Sequence, residues 1–273
     1  MPTNLACCGL QQLLADYLLR NDLRTSSAEF YSRTVAVFRS WYGGDVPSEA
    51  LTAELVNAFL ADKQKLGRSG HYRASLKAGL RAILGERIDR RRLRRIRTEP
   101  LEPQFWTASE VAKLIAACQC LPSKHREYFR QIIAVAYHTG LSLIDMHQLH
   151  RHRHIDGDGL VRIRRSKTGA EAVAKIPADL LASLPRQGLV FPRRFTGEMF
   201  RRYFRQCVQE AGLCGSFKTL RSSSGTVAEL QTGRGHEHLA NTRRVFERHY
   251  LVKERIARKP VEIDLPPTPP AVA

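Results

Sequence analysis

No apolar run in these 273 residues approaches the roughly 20 needed to cross a bilayer. The N-terminus also lacks the basic start and continuous apolar core of a secretory signal, so a cytoplasmic chain is expected. Acidic residues are scarce: 26 Asp and Glu face 44 Lys and Arg, leaving a formal charge of +18. None of the six cysteines (Cys7, Cys8, Cys118, Cys120, Cys207, Cys214) falls in a CxxC pair. That spacing suits reduced thiols better than a zinc site, and no metal is expected. Extended low-complexity tracts are missing, as is the aromatic strand pattern of common RNA-binding sheets. What is present is 43% hydrophobic residues, enough for two cores. A foldable chain this basic is drawn to a polyanion, with nucleic acid the default and a nucleoid-associated place in the cell the expectation.

In chain order, Leu10 to Asn21 carries Leu10, Leu13, Leu14, Tyr17 and Leu18 on one helical face. Ser26 and Glu29 form a capping-box pattern opening a second helix, which Gly43-Gly44 ends. A third helix runs from Thr52 to a stop at Gly67. A fourth, Ser69 to Leu84, presents Arg73, Lys77 and Arg81. Residues 87–97 then hold seven arginines in eleven positions. Arg91, Arg92, Arg94 and Arg95 are its candidate backbone-phosphate contacts, giving affinity that falls steeply with salt; the alternative is a solvated spacer. Pro100 and Pro103 mark the boundary, so residues 1–97 form a first domain with an Arg-rich linker and residues 98–257 a second. Residues 258–273 are a Pro-rich tail with no means of packing.

The second domain opens on a capping box, Thr107 with Glu110. An apolar helix from Tyr128 to His138 stops at Thr139-Gly140. Val161 and Ile163 alternate with Arg162 and Arg164 in a strand with one charged face; Ser166 to Gly169 turn, and Ala172 to Ile176 return. A long helix spans Thr196 to Ala211. Then comes the stretch that organises the rest, Phe217 to Tyr250. Lys218 and Arg221, three residues apart at a helix start, can reach one anion. Asn241 lies nine residues before Tyr250, which a later helix delivers. His147, His150, His152 and His154 alternate with Arg151 and Arg153, whose charge disfavours a metal, so a loop near phosphate is expected there.

Five motifs in order carry a resemblance: the four-helix N-terminal unit, HTGLSLIDMHQL, RIRRSKTGAEAVAKIP, KTLR, and ANT followed by RHYL. Over about residues 10–255 the chain resembles the tyrosine recombinases (phage integrases). The resemblance implies a mainly α protein of two domains. The first is a four-helix core-binding (SAM-like) domain, and the second is a mostly helical catalytic domain with a small β-sheet. It implies cutting and rejoining of double-stranded DNA through a 3′-phosphotyrosine intermediate, with no metal or nucleotide cofactor. It also implies a monomer in solution that assembles as a tetramer on DNA, with Leu251, Val252 and Ile256 as an apolar face for assembly.

The same resemblance gives Tyr250 as nucleophile, Arg221 as phosphate clamp and Lys167 as the acid for the leaving 5′-oxygen. Lys218 stands where the family usually has His, and Asn241 where it has His or Trp; His236 and His238 are alternatives to Asn241. Ser142 replaces the family's first arginine, with Arg162, Arg164 and Arg165 as candidate substitutes. Ser142 with Asp145 also reads as a capping box opening a helix over Met146 and Leu149. Two readings therefore stand open: an active site-specific recombinase of a mobile element, or a catalytically degenerate relative that binds DNA as an architectural or regulatory module.

Overall fold

The computed structural model describes residues 9–99 and 102–252. Contacts divide the chain into two compact units, residues 1–100 and 101–273.

Among the described residues the N-terminal unit holds four α-helices, α1 (Leu10–Arg20), α2 (Thr25–Tyr42), α3 (Ala53–Lys65) and α4 (Gly70–Leu84). Leu10, Phe38, Phe59 and Leu80 are fully buried between them, with the Phe38 and Phe59 rings edge to face at 4.8 Å. Thr52 and Ser69 cap α3 and α4 through their hydroxyls. The capping box at Ser26 and Glu29 does not form: α2 begins two residues earlier than that cap implies, behind Arg24, without a side-chain cap. Gly43 ends α2 in the left-handed region, at φ 91°.

The arginine run is folded onto this unit rather than strung away from it. Ile88 and Leu93 are buried in the same core. The Asn57 amide donates to the Arg92 carbonyl and its oxygen accepts from the Arg94 N–H, both at 2.9 Å. Lys77 Nζ donates to the carbonyls of Arg94, at 2.6 Å, and Leu93, at 3.3 Å. Alternating buried leucine or isoleucine with exposed arginine turns the run into a strap with its charges outward. Arg91, Arg94 and Arg95 are exposed, as is Arg81 on α4.

The C-terminal unit is helical around α6 (Ser123–Thr139), against which α5 (Ala108–Ala117) and later α11 (Phe217–Thr232) pack. Its core is aromatic: Phe129 stacks on Phe200 at 5.1 Å, and Tyr128 and Phe195 meet edge to face at 5.5 Å. The Thr107–Glu110 capping box is formed in both directions. One-turn helices α7 (Leu143–Met146) and α8 (Arg151–His154) lead to an antiparallel hairpin, β1 (Leu160–Arg164) and β2 (Glu171–Lys175), with Arg162 opposite Val173. Val161 and Ile163 are buried while Arg162 and Arg164 are exposed, the alternation the sequence showed. Helices α9 (Ala178–Ser183), α10 (Gly197–Glu210), α12 (Gly235–His238) and α13 (Arg243–His249) complete the unit.

Several expectations change. The histidine run at 150–154 is a helical turn rather than a loop, with the His154 Nδ1 accepting from the His150 N–H at 3.0 Å. The Gly-rich turn after α11 contains α12. Leu251 and Val252 are buried within their own chain, Leu251 against Leu239 and Phe246, so they offer no free apolar face. Ile256, Cys7, Cys8 and the Pro-rich tail lie outside the described residues. No helix among the described residues is long and apolar enough to cross a membrane.

Candidate active site

The site is built on α11, a helix whose buried face is unusually polar: Thr219, Arg221, Ser222, Ser223, Ser224 and Thr226 are all buried. Burying hydroxyls is tolerable only where each finds a partner; Ser222 donates within its own helix, to the Lys218 carbonyl, while several others tie neighbouring segments. Ser223 accepts from the Trp106 N–H at 2.8 Å. Ser224 bonds His238 Nε2 at 2.7 Å. Thr226 donates to the Tyr250 carbonyl and accepts from the Val252 N–H. Ser224 thus fixes the His238 helix, and Thr226 the backbone that carries Tyr250. Sequence reading passed over it; its signal was three serines inside an otherwise apolar-periodic helix.

Arg221 is 4% exposed. Its Nη2 donates to the Leu239 carbonyl at 2.7 Å and its Nη1 to the Gly140 carbonyl. Gly140 caps α6 at φ 60°, and a Cβ there would run into the Leu239 side chain, so the turn and the close approach both require glycine. Burial, then repulsion from Arg165, pulls the Arg221 guanidinium down to about 10. Its Nε is buried and bonded to nothing among the described residues.

Tyr250 sits at the C-terminal cap of α13 rather than within the helix. Its ring is covered by both cations of the KTLR pair: the Arg221 guanidinium lies 4.8 Å from the ring centroid and Lys218 Nζ 5.2 Å. Burial alone would raise the phenol. The positive charge of Arg221, Lys218 and Arg165 outweighs it and holds Tyr250 below its ordinary value of 10.0. Next to it, His249 is depressed by partial burial and then by Arg248, Lys218 and Lys167, which places Lys167 within electrostatic range of the same corner. The structure thus brings Lys218, Arg221 and Tyr250 together, with Lys167 exposed on the β1–β2 turn nearby.

Ser142 does cap α7, but not as a capping box. Its hydroxyl donates to the Asp145 carboxylate at 2.6 Å instead of accepting from backbone, and α7 stops before Leu149. Asp145, 1% exposed, also takes the Ser166 N–H at 2.8 Å and Arg165 Nε at 2.7 Å. Burial raises this carboxyl, and the bonds from Ser142 and Ser166 with the charge of Arg165 bring it below 3.8. Among the three candidate substitutes, Arg162 and Arg164 are exposed, while Arg165 is 9% exposed and reaches the Leu239 carbonyl through Nη1 at 2.8 Å.

Asn241 Nδ2 and His236 Nδ1 are buried without partners among the described residues. His238, bonded to Ser224, is pushed down to about 4 by burial and then Arg221, and is therefore a neutral imidazole. Ala240, between Leu239 and Asn241, is at φ 47°, the one non-glycine with positive φ among the described residues. Such strain gathers at functional sites. A cavity of about 910 Å³ lies behind His238, walled by Tyr137, His138, Glu171 and Val227. Tyr250, Arg221, Lys218 and Lys167 do not line it.

Among the other candidate DNA contacts, Lys77 spends its ammonium on the strap carbonyls, and burial, then Arg81, lowers it. Arg73 bonds Gln64 and the Arg68 carbonyl. Arg92 pairs with Glu54 at 3.4 Å. No group of three or more His, Cys, Asp or Glu among the described residues is arranged to hold a metal.

No protein-family model matches the chain, and no curated protein matches its sequence. Solved structures do. A lambda integrase fragment, residues 75–356, in a dimer bound to a COC′ core site is similar with a TM-score of 0.70 at 20% identity, over 92% of this chain and 98% of that one. The chain has the tyrosine recombinase fold. The Tn1549 transposon integrase, solved with a circular-intermediate DNA, matches with a TM-score of 0.66 at 11% identity, covering 85% and 91% of the two chains. The XerH site-specific recombinase bound to its difH substrate matches with a TM-score of 0.62 at 15% identity, over 90% and 81%. Identities this low speak for the fold and not for the chemistry.

Proposed function

We propose that this protein is a site-specific DNA recombinase or integrase that breaks and rejoins duplex DNA through Tyr250. One observation carries the reading: Lys218 and Arg221, at i and i+3 on α11, both cover the ring of Tyr250 delivered by α13. A phenol held among cations and pulled below its free value is a nucleophile prepared to attack an anionic centre. The DNA-bound recombinases of the same fold support duplex DNA as the partner.

In the proposed step the Tyr250 oxygen attacks the phosphodiester phosphorus, and the phenol proton leaves to solvent. The bond from phosphorus to the 5′-oxygen breaks as the 3′-phosphotyrosine bond forms, and Lys167 protonates the departing 5′-oxygen. Arg221 and Lys218 stabilise charge on the non-bridging oxygens. Asn241, with its unpartnered buried Nδ2, offers a further donor. The phosphoester bond energy is conserved, so a second strand's 5′-hydroxyl can reverse the step. Assembly as a tetramer on paired sites, from a monomer in solution, belongs to the same proposal, but not through Leu251 and Val252.

Serine at position 142, in place of a cation, favours the second reading of a DNA-binding relative that does not cut. Nicked suicide DNA substrates separate the two. A recombinase accumulates a covalent protein–DNA band, whereas a degenerate relative shifts the DNA and never forms the band.

A further inference from the structure

We propose that Arg165 is the second guanidinium of an anion clamp completed by Arg221, so that one DNA phosphate is gripped by an arginine from the end of β1 and another from α11. The proposal rests on the strand-transfer reading only for the identity of the anion. The clamp itself follows from placement. Arg165 Nη1 and Arg221 Nη2 both donate to the carbonyl of Leu239, at 2.8 and 2.7 Å, so the two nitrogens lie no further apart than those bonds laid end to end.

Two guanidiniums that close, 9% and 4% exposed, repel each other. Among the described residues one carboxylate, Asp145, opposes them, while Lys218 adds a third positive charge over Tyr250. The excess positive charge is matched when an anion arrives. The donors are also in excess. Each guanidinium carries five N–H groups, and the two bonds made by Arg165 occupy one apiece on Nε and Nη1.

Asp145 makes the arrangement rigid. Its Oδ2 takes Arg165 Nε and the Ser142 hydroxyl, and its Oδ1 takes the Ser166 N–H, so the carboxylate fixes the arginine and the start of the turn together. The backbone of Arg165 closes that same turn, donating to Ala170 O and accepting from Gly169 N at 2.8 Å each. Lys167 lies within it. The clamp and the proposed acid are thus held from one residue. A serine at 142 suits this geometry, because a longer cation there would compete for the Asp145 oxygen that Arg165 uses.

A plain structural ion pair is the competing explanation, and Arg165→Lys separates it from a clamp. Lysine keeps a cation opposite Asp145 but loses the planar fork. With the full chain on suicide DNA, Arg165→Lys is expected to keep the wild-type urea midpoint and DNA affinity while forming adduct at least tenfold more slowly. Arg165→Ala should lose about 10²–10³-fold, and adding Ser142→Arg to it should recover part of that loss. Ser142→Arg alone should slow the wild type. Adduct formation by Arg165→Lys and Arg165→Ala at the wild-type rate overturns the clamp. If the wild type forms no adduct at all, the strand-transfer reading fails while the clamp is still measured, by calorimetric titration with inorganic sulfate. Arg165→Lys should then bind sulfate at least tenfold more weakly than the wild type and the charge control Lys113→Ala. Equal sulfate binding in all three removes the proposal.

Discussion

Arg165 and Arg221 share one acceptor. The Leu239 carbonyl takes a hydrogen bond from each, and the two guanidiniums, from segments 56 residues apart in sequence, are thereby brought to one point beside Tyr250. The electrostatics of the corner follow from that convergence. Arg221, Lys218 and Arg165 each lower the phenol, against burial that raises it.

The first prediction concerns the phenol. Lys218→Met removes one of the cations that depress Tyr250, so its pKa should rise toward 10. The change is read by ultraviolet difference titration of each protein against its own Tyr250→Phe partner. An unchanged midpoint in Lys218→Met means that the cation over the ring does not act on the hydroxyl.

A second prediction follows from His238, which is pushed down to about 4 from 6.5 by burial and Arg221. The unfolded chain takes up a proton near pH 6.5 that the folded chain refuses until about pH 4. Stability from this group is therefore complete above pH 6.5 and falls as pH descends through that window, by up to about 3 kcal/mol. His238→Gln should lessen the pH slope of the urea-unfolding free energy by one proton. His138 and His154, also depressed, contribute their own share and remain. Asp145 acts below the window, since its folded value lies under 3.8.

The strap gives the third. Leu93 is 6% exposed in the core of the N-terminal unit, so Leu93→Ala should cost about 2–4 kcal/mol of that unit's stability. A free linker would lose nothing measurable by calorimetry.

The arginines around Leu93 give the fourth. Arg91, Arg92, Arg94 and Arg95 are all exposed, and Arg92 alone of the four has an ion pair among the described residues, with Glu54. Replacing the other three with Ala should weaken binding to all DNA sequences alike, lowering the salt slope by about 0.9 for each phosphate left unneutralised. Arg92→Ala should do less. Equal affinity and slope at matched ionic strength would leave the strap a packing element only.

Much of the helix pattern was legible because its signals are local. The Thr107–Glu110 box, the Gly43 and Gly140 stops and the Val161/Ile163 alternation are set by residues a few positions apart. The meeting of Lys218, Arg221 and Tyr250 in the candidate site was legible, since Lys218 and Arg221 share one turn and Tyr250 follows at a fixed distance. What sequence left open was decided across the fold. Which of Arg162, Arg164 and Arg165 turns inward depends on where β1 ends and on Asp145, 20 residues upstream. Ser142 was misread for the same reason: its hydroxyl had two local acceptors or donors to choose from, and a carboxylate held by Arg165 won over a backbone N–H. Ser26 is no cap because α2 begins two residues earlier than that cap implies, behind Arg24. Leu251 and Val252 looked like an assembly face only because the partners that bury them, Leu239, Phe246 and Thr226, come from other segments.

The central claim is that Tyr250 itself takes the phosphate, and mapping the bond tests it most directly. The wild-type protein is trapped on nicked duplex DNA carrying its binding site, then digested with trypsin and nuclease, and the peptides are weighed by mass spectrometry. The expected result is a residual 3′-phosphonucleotide on the peptide containing Tyr250, absent from Tyr250→Phe, which still binds the same DNA. A nucleotide on any other residue, or an adduct that survives Tyr250→Phe, contradicts it.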